Sequence, residues 1–511
     1  MRCPVLTSIL LFAAATTALK RRANLQTCPL LAKQYPSPVG LAEDPIFKAA
    51  IASLDATLDG GANVLPYNET NFSLGIFNPS TDGFVYQYHH SDAALAASSY
   101  GTKSIDADSI YRVGSISKLL TMYIFLLAAN GDRYFNTPVL ELVPELKQLA
   151  SDGWNPETPD FSEITIGDLA GQMAGLARDF YINGIATGSP IFPIAYTPVY
   201  SNEAFALIGV ALSHLVGRSF EAIFNETLRS TLSLSSTYFT VPSDVGQGVI
   251  PGTPLSTGFD GDLGVFSPAG GFFSSLNDFA CLGKAILNST FLSKAHTRRW
   301  FKPTSFVNGY TVDLYTKAGD IAAYSSFFAL VPTYDIGITL MTAWDPAGTS
   351  GGAVRDELPN QLLNALLPAL DEIAKKQAVA NFAGQYINPQ TNSSITIGTD
   401  ANPALKVTAW SYNGVDIFNN VLGSLAPDLD LRILPNELYQ GSKVGFTSYY
   451  QSAVPPSANG TWYLQCAGWI DVDELTVANL PLGQLVFTVG DEGKAMSVES
   501  RALRQVLSRQ G

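Results

Sequence analysis

Ser115-Ile116-Ser117-Lys118 is the only S-x-x-K in this 511-residue chain. It follows Ile110-Tyr111-Arg112-Val113-Gly114 and runs into an apolar stretch from Leu119 to Ala129. That context predicts a helix over Ser115–Asn130, with Ser115 and Lys118 on one face. A serine hydroxyl is a poor nucleophile until its proton is removed. A lysine set among Leu119, Leu120 and Tyr123 loses solvation, which lowers its pKa and lets it act as a base. The helix N-terminus adds positive potential and N–H donors beside the serine. A nucleophile and base one turn apart constrain the fold, because other elements must bring the remaining groups to that turn.

The N-terminus narrows the compartment. Met1–Ala18 carries Arg2, an apolar core from Val5 to Ala15 and then small residues, the pattern of a secretory leader rather than a membrane span. Lys20-Arg21-Arg22 is either a further processing site or the basic end of the mature chain. Six N-x-[ST] sequons, at Asn68, Asn71, Asn225, Asn288, Asn392 and Asn459, fit a secreted, extracellular glycoprotein. Beyond the leader the cysteines are Cys28, Cys281 and Cys466. Cys281 lies in an apolar helical pattern that suits a buried thiol, so elimination leaves a Cys28–Cys466 disulfide. The formal charge of −14 disfavours nucleic acid and anionic membranes as partners. A small-molecule substrate remains, and the sequence leaves the oligomeric state open.

Along the chain, a helix is expected over Pro45–Leu58 and strand-like alternation over Phe72–Tyr88. Helices are expected over Ile164–Gly175 and Ala204–Leu215, each stopped by glycine. Ala322–Leu330 and Tyr334–Ala343 read as a hairpin. A helix from Asp356 to Ala378 is expected to kink or break at Pro368. From Phe382 onward, short alternating runs separated by turns such as Asn413-Gly414 predict an all-β barrel or sandwich. The expected organisation is a leader (1–18), an N-terminal extension (19–44), a catalytic domain (45–377) and a β domain (378–511).

Metal chemistry is disfavoured: the chain has four histidines, no H-E-x-x-H and no C-x-x-C pair. His89-His90 reads as a surface pair. Gly348-Thr349-Ser350-Gly351-Gly352 matches G-x-S-x-G between a strand and a helix, but no histidine follows His296 to complete that triad. The S-x-x-K reading asks instead for a tyrosine that serves the leaving group and a cationic strand beside an oxyanion site. Tyr200-Ser201-Asn202 supplies the first. Tyr181-Ile182-Asn183 and Tyr386-Ile387-Asn388 match the same pattern, but only Tyr200 is followed directly by a well-formed apolar helix. Lys317-Ala318-Gly319 supplies the second, while the other K-x-G, at Lys443, falls in the β region. Asp320 N–H and Ser115 N–H would then bind the oxyanion.

These three motifs in this order resemble the serine β-lactamase and penicillin-binding-protein superfamily, in particular its class C β-lactamase, esterase and DD-peptidase branch. Tyr111-Arg112-Val113-Gly114-Ser115, Ser267-Pro268-Ala269-Gly270-Gly271 and Ala323-Tyr324-Ser325-Ser326 add to the resemblance, which covers about residues 40–370. The tail, with Asn413-Gly414 and Trp462, resembles the accessory β domain of secreted fungal β-lactamase-like proteins. The implied fold is α+β: an antiparallel sheet flanked by helices, an all-helical region and a C-terminal all-β domain. The implied activity is that of a cofactor-free serine hydrolase acting on ester, lactone or amide bonds. In it Ser115 is acylated, Lys118 takes its proton and Tyr200 serves the leaving group. Asn202 would orient the substrate, and Lys317 would hold the field on Tyr200. An acyltransferase using the same acyl-enzyme and a non-catalytic binding protein of the same fold are the alternatives. The chain departs from β-lactamases at Ala318, usually threonine, and at Asp320, often serine. A carboxylate there would repel an anionic substrate, which favours neutral substrates over β-lactams.

Overall fold

The computed structural model describes residues 33–59, 67–148, 159–178, 190–302, 314–348, 350–422, 430–451, 476–477 and 479–511. The leader, Lys20-Arg21-Arg22, Cys28, Asn459, Trp462, Cys466 and the alternative Tyr181-Ile182-Asn183 lie outside the described residues. The contacts divide the chain into Val39–Ala369 and a second unit that joins the residues up to Pro38 with Leu370–Gly511.

The first unit is built on a sheet of β1 (Thr70–Phe77), β2 (Tyr86–His90), β5 (Tyr315–Ile321), β6 (Tyr324–Val331) and β7 (Ile336–Trp344), in the order β2-β1-β7-β6-β5 with antiparallel pairings. All eight residues of β1 are buried, as in a strand covered on both faces. The alternation over Phe72–Tyr88 is therefore two strands. Asn78 turns the chain between them by accepting Ser80 N–H at 2.8 Å. The β6–β7 hairpin forms as expected and turns through Asp335 at φ 52°. A two-residue ladder, β3 (Tyr111–Arg112) with β4 (Phe273–Ser274), lies beside the helical region.

The helices follow their capping signals. Helix α1 spans Pro45–Asp59. A 3-10 turn at Gly114–Ile116 leads into α2 (Ser117–Ala128), whose residues Ser117, Lys118 and Leu120–Leu126 are buried. Helix α3 (Ile166–Ala170) begins at a Thr165–Asp168 capping box. It ends well before Gly175, because Gln172 turns to φ 59° and its side chain engages Ser201. Helix α4 (Asn202–Val216) is capped by Ser201 and stopped by Gly217 at φ 73°. Helices α5 (Leu276–Leu287) and α6 (Lys294–Trp300) follow. Helix α7 (Gly352–Phe382) runs through Pro359 and Pro368 without a break, which leaves only the kink of the two expected effects of Pro368. An internal proline costs about 3 kcal/mol. Burial of Val354, Leu358, Leu362, Leu366, Leu370 and Ile373 along the helix outweighs it.

In the second unit, β8 (Gly384–Asn388), β9 (Ser393–Gly398), β10 (Leu405–Tyr412), β12 (Asp430–Gln440), β13 (Lys443–Gln451), β16 (Gln484–Val489), β17 (Ala495–Ser500) and β18 (Gln505–Arg509) pair in a ring. Because β9 pairs with both β8 and β10, the described strands close into a barrel with no free edge in the ring. Strand β11 (Val415–Asp416) hangs on β10, and β14 (Thr476–Val477) pairs with β15 (Leu480–Pro481). Phe382, Tyr386, Phe446 and Phe487 pack at centroid distances of 5.0–5.8 Å. The alternative motifs Tyr386-Ile387-Asn388 and Lys443-Val444-Gly445 are strand residues of this barrel, and Lys443 lies 3.5 Å from Glu499.

Three expectations need correction. Cys281 is exposed on α5 rather than buried, which removes the ground for eliminating it from disulfide pairing. Asn71 is fully buried in the central strand β1, and its side chain accepts Asp92 N–H at 2.8 Å, so this sequon has no room for a glycan. His89 and His90 are not a surface pair. Each is half-buried and bonded within the sheet, His89 Nδ1 to Ser73 Oγ at 3.0 Å and His90 Nδ1 to Thr70 O at 2.9 Å. The sequons at Asn68, Asn288 and Asn392 are exposed, and Asn225 is half-buried.

Candidate active site

The turn that carries Ser115 is pressed against the edge strand β5. Gly114 has φ +49°, and a Cβ there would lie 2.7 Å from Asp320 N. In return, a Cβ on Gly319 would lie 2.2 Å from Val113 O and 2.7 Å from Ser115 N. The backbone nitrogens of Ser115 and Asp320 are therefore brought to the same contact between turn and strand, the proximity that an oxyanion site built from these two amides requires. Ser326 Oγ anchors the turn by donating to Val113 O at 2.8 Å.

Lys118 is 3% exposed. Its Nζ lies 3.2 Å from Ser115 Oγ, 2.6 Å from Asn202 Oδ1 and 2.7 Å from Ala269 O. A neutral amine has two hydrogens and one lone pair. Asn202 and Ala269 can take the hydrogens, which leaves the lone pair for the serine proton. Ala269 belongs to the Ser267-Pro268-Ala269-Gly270-Gly271 run, and Thr121 Oγ1 holds that run by donating to Pro268 O at 2.7 Å.

On the other side of the nucleophile, Tyr200 OH donates to Ser115 Oγ at 2.7 Å. Lys317 Nζ lies 3.5 Å from the same phenolic oxygen. Burial pushes the Lys317 ammonium down to about 8, with Asp320 opposing and Arg355 and Arg178 assisting. Three basic side chains surround the Tyr200 ring: Lys118 at 4.9 Å from its centroid, Arg178 at 5.1 Å and Lys317 at 5.3 Å. Gln172 positions the segment, accepting Ser201 N–H and donating to Ser201 O at 3.2 Å. Asn202 N–H donates to Arg178 O at 2.9 Å.

All seven predicted site residues, Ser115, Lys118, Tyr200, Asn202, Lys317, Gly319 and Asp320, thus meet around one turn. Asp320 differs from expectation in its charge balance. Its carboxylate accepts Ser325 Oγ–H at 2.6 Å and pairs with Arg355 Nη1 at 3.1 Å, so it does not stand as a bare negative charge. Arg355, Arg178, Gln172 and Ala269 O were missed. The Arg355 signal is an arginine in the first turn of the helix that follows β7, and Ala269 lies in the Ser267–Gly271 run that adds to the resemblance, which assigns its carbonyl no role; Arg178 and Gln172 have no motif spacing. Ser350, in the discarded G-x-S-x-G, is exposed, and its hydroxyl accepts Gly352 N–H at 3.2 Å.

A family model described as "Beta-lactamase" matches residues 84–358, and one described as "Beta-lactamase-like-like, C-terminal domain" matches residues 374–511. A "Beta-lactamase-like protein" of Arthroderma benhamiae is 24% identical over 97% of this chain and 98% of its own length. A "Probable hydrolase M10" of Phoma sp. is 22% identical, covering 69% and 67%. Among solved structures, a class C beta lactamase from Rhodobacter sphaeroides aligns with TM-score 0.44 and 18% identity, covering 63% of this chain and 99% of that one. A D-stereospecific amidohydrolase from Streptomyces sp. aligns with TM-score 0.44 and 17% identity, covering 62% and 98%.

Proposed function

Because the chain belongs to the beta-lactamase family, we propose that it is a serine hydrolase that forms an acyl-enzyme on Ser115 and acts on ester, lactone or amide bonds of small molecules. The observation that carries this reading is the position of Ser115 Oγ, 3.2 Å from Lys118 Nζ and 2.7 Å from Tyr200 OH. Neutral Lys118 takes the serine proton as Oγ bonds to the substrate carbonyl carbon. The displaced carbonyl electron pair becomes an oxyanion facing the N–H groups of Ser115 and Asp320. When the tetrahedral intermediate collapses, the bond to the leaving group breaks and Tyr200 supplies that group's proton, and the proton that Lys118 took from the serine then returns to Tyr200. Water then repeats the sequence in reverse on the acyl-enzyme. Asn202 keeps Lys118 aimed, and Lys317 stabilises negative charge on Tyr200.

The same reading places the protein outside the cell, supported by the Met1–Ala18 leader pattern and the exposed sequons. Recovery of the chain from culture medium with its N-terminus beyond Ala18 tests that placement.

The test of the chemistry is a fluorophosphonate probe followed by peptide mapping. The adduct is expected on Ser115, with labelling and aryl-ester turnover lost in Ser115→Ala and kept in Ser350→Ala. Labelling that survives the first change and disappears with the second would falsify the assignment.

A further inference from the structure

A cavity of about 740 Å³ is lined in part by the nucleophile helix, and none of the site residues above lines it. Its apolar wall is made by Met122, Leu126, Phe135, Met173 and Trp300, and its polar rim includes Arg299 and Asp132. That volume lies within the range of small-molecule sites, roughly 300–1,000 Å³.

Three of its walls are continuous with segments that carry the catalytic groups. Met122 and Leu126 follow Ser115 by seven and eleven residues, so they return to its face of the helix, with Met122 about 10 Å away along the axis. Ala195 lines the cavity five residues before Tyr200, and its N–H donates to Met173 O at 2.9 Å. Trp300 stacks on Tyr123 at 5.6 Å and on Phe301 at 6.1 Å, and Phe301 stacks on Tyr315 at 4.4 Å. Tyr315 opens β5 two residues before Lys317. The segment that carries Ala195 also exposes Ile191 at 54% and Tyr196 at 73%, an apolar lip.

Resting on the acyl-enzyme reading above, we propose that this cavity receives an extended apolar arm of the substrate. The preferred substrates are then esters or amides bearing an aliphatic acyl chain of about octanoyl reach. Arg299 is held by Asp132 at 3.3 Å, His296 lies 3.8 Å from the same carboxylate, and Asp168 is consumed in the Thr165 capping box; with Lys302 the rim carries both signs of charge, and the apolar wall of Met122, Leu126, Phe135, Met173 and Trp300 is what selects an uncharged arm.

The test compares p-nitrophenyl acetate with p-nitrophenyl octanoate on the full chain. Each buried methylene is worth roughly three- to fourfold in affinity. The octanoate ester is therefore expected to exceed the acetate by at least about tenfold in kcat/KM. Ala195→Phe and Ala170→Phe fill the cavity from two sides, and each should cut that ratio at least about tenfold with its melting temperature unchanged. Calorimetry with octanoate on Ser115→Ala should show binding that is lost when Ala195→Phe is added. Ester turnover that is indifferent to chain length, or a ratio unmoved in both folded variants, would overturn the cavity assignment and leave the hydrolase reading intact. Octanoate binding that Ala195→Phe abolishes, in a protein that turns over no ester, would uphold the cavity and remove the hydrolase reading instead.

Discussion

Replacing Lys317 tests the electrostatics of the site most directly. Its Nζ lies 3.5 Å from Tyr200 OH. Two unit charges at that distance interact by roughly 5 kcal/mol at an effective dielectric of about 20. Asp320 and partial exposure reduce this, so about 2–3 kcal/mol of stabilisation for a Tyr200 anion remains. Lys317→Met should therefore lower kcat/KM on an aryl ester roughly a hundredfold at pH 7. The wild type carries a matching pH signature. Burial lowers the Lys317 ammonium to about 8, so its charge is present below that pH and lost above it. Activity should fall on the alkaline side, with about a tenth of the Lys317-dependent rate left at pH 9. Unfolding caused by Lys317 does not explain such a fall. Between about 8 and its usual 10.5 the unfolded chain holds the extra proton, so this residue's linkage makes stability rise with pH. Lys317→Arg keeps the charge at every pH and should move the alkaline limb upward. Initial rates from pH 6 to 10, with circular dichroism at each pH, make the measurement. The reasoning is refuted if Lys317→Met stays within about threefold of wild type, or if the alkaline limb is unchanged in Lys317→Arg.

Two further outcomes follow from the geometry. Lys118→Arg puts a permanently protonated guanidinium where a neutral amine must accept the serine proton, so pre-steady-state acylation should slow by about a hundredfold or more in a variant whose circular dichroism matches the wild type. Asp320→Asn leaves Arg355 with one fewer carboxylate partner, so the efficiency on an anionic cephalosporin relative to a neutral aryl ester should rise several-fold; a fall in that ratio contradicts the charge argument.

What was legible in the sequence was local. The 3.6-residue periodicity of α4, its Ser201 cap and its Gly217 stop lie within one window, and so does the Ser115–Lys118 spacing. The β6–β7 hairpin was equally plain, because its turn and both strands are contiguous. What escaped needed contacts between distant segments. Arg178 and Arg355 look like ordinary surface charges until the fold brings one over Tyr200 and the other to Asp320. An apolar setting for Cys281 was inferred from its neighbours, but the helical face on which it falls is solvent-facing. The full burial of β1 hid Asn71 for a similar reason. Two-sided coverage is a property of the sheet, not of the strand's own residues.

The mutual approach of Gly114 to Asp320 and of Gly319 to Ser115 has a consequence for how such a site can change over generations. Neither glycine can acquire a side chain without pushing an oxyanion amide out of place, and no second substitution nearby restores the lost space. Those two positions are closed to drift. The next residues on the same strand, Ala318 and Asp320, alternate to its other face and are open to exchange. New substrate preferences would therefore arise by one-letter steps at 318 and 320, or among the cavity-lining residues, while the acylating machinery stays unaltered.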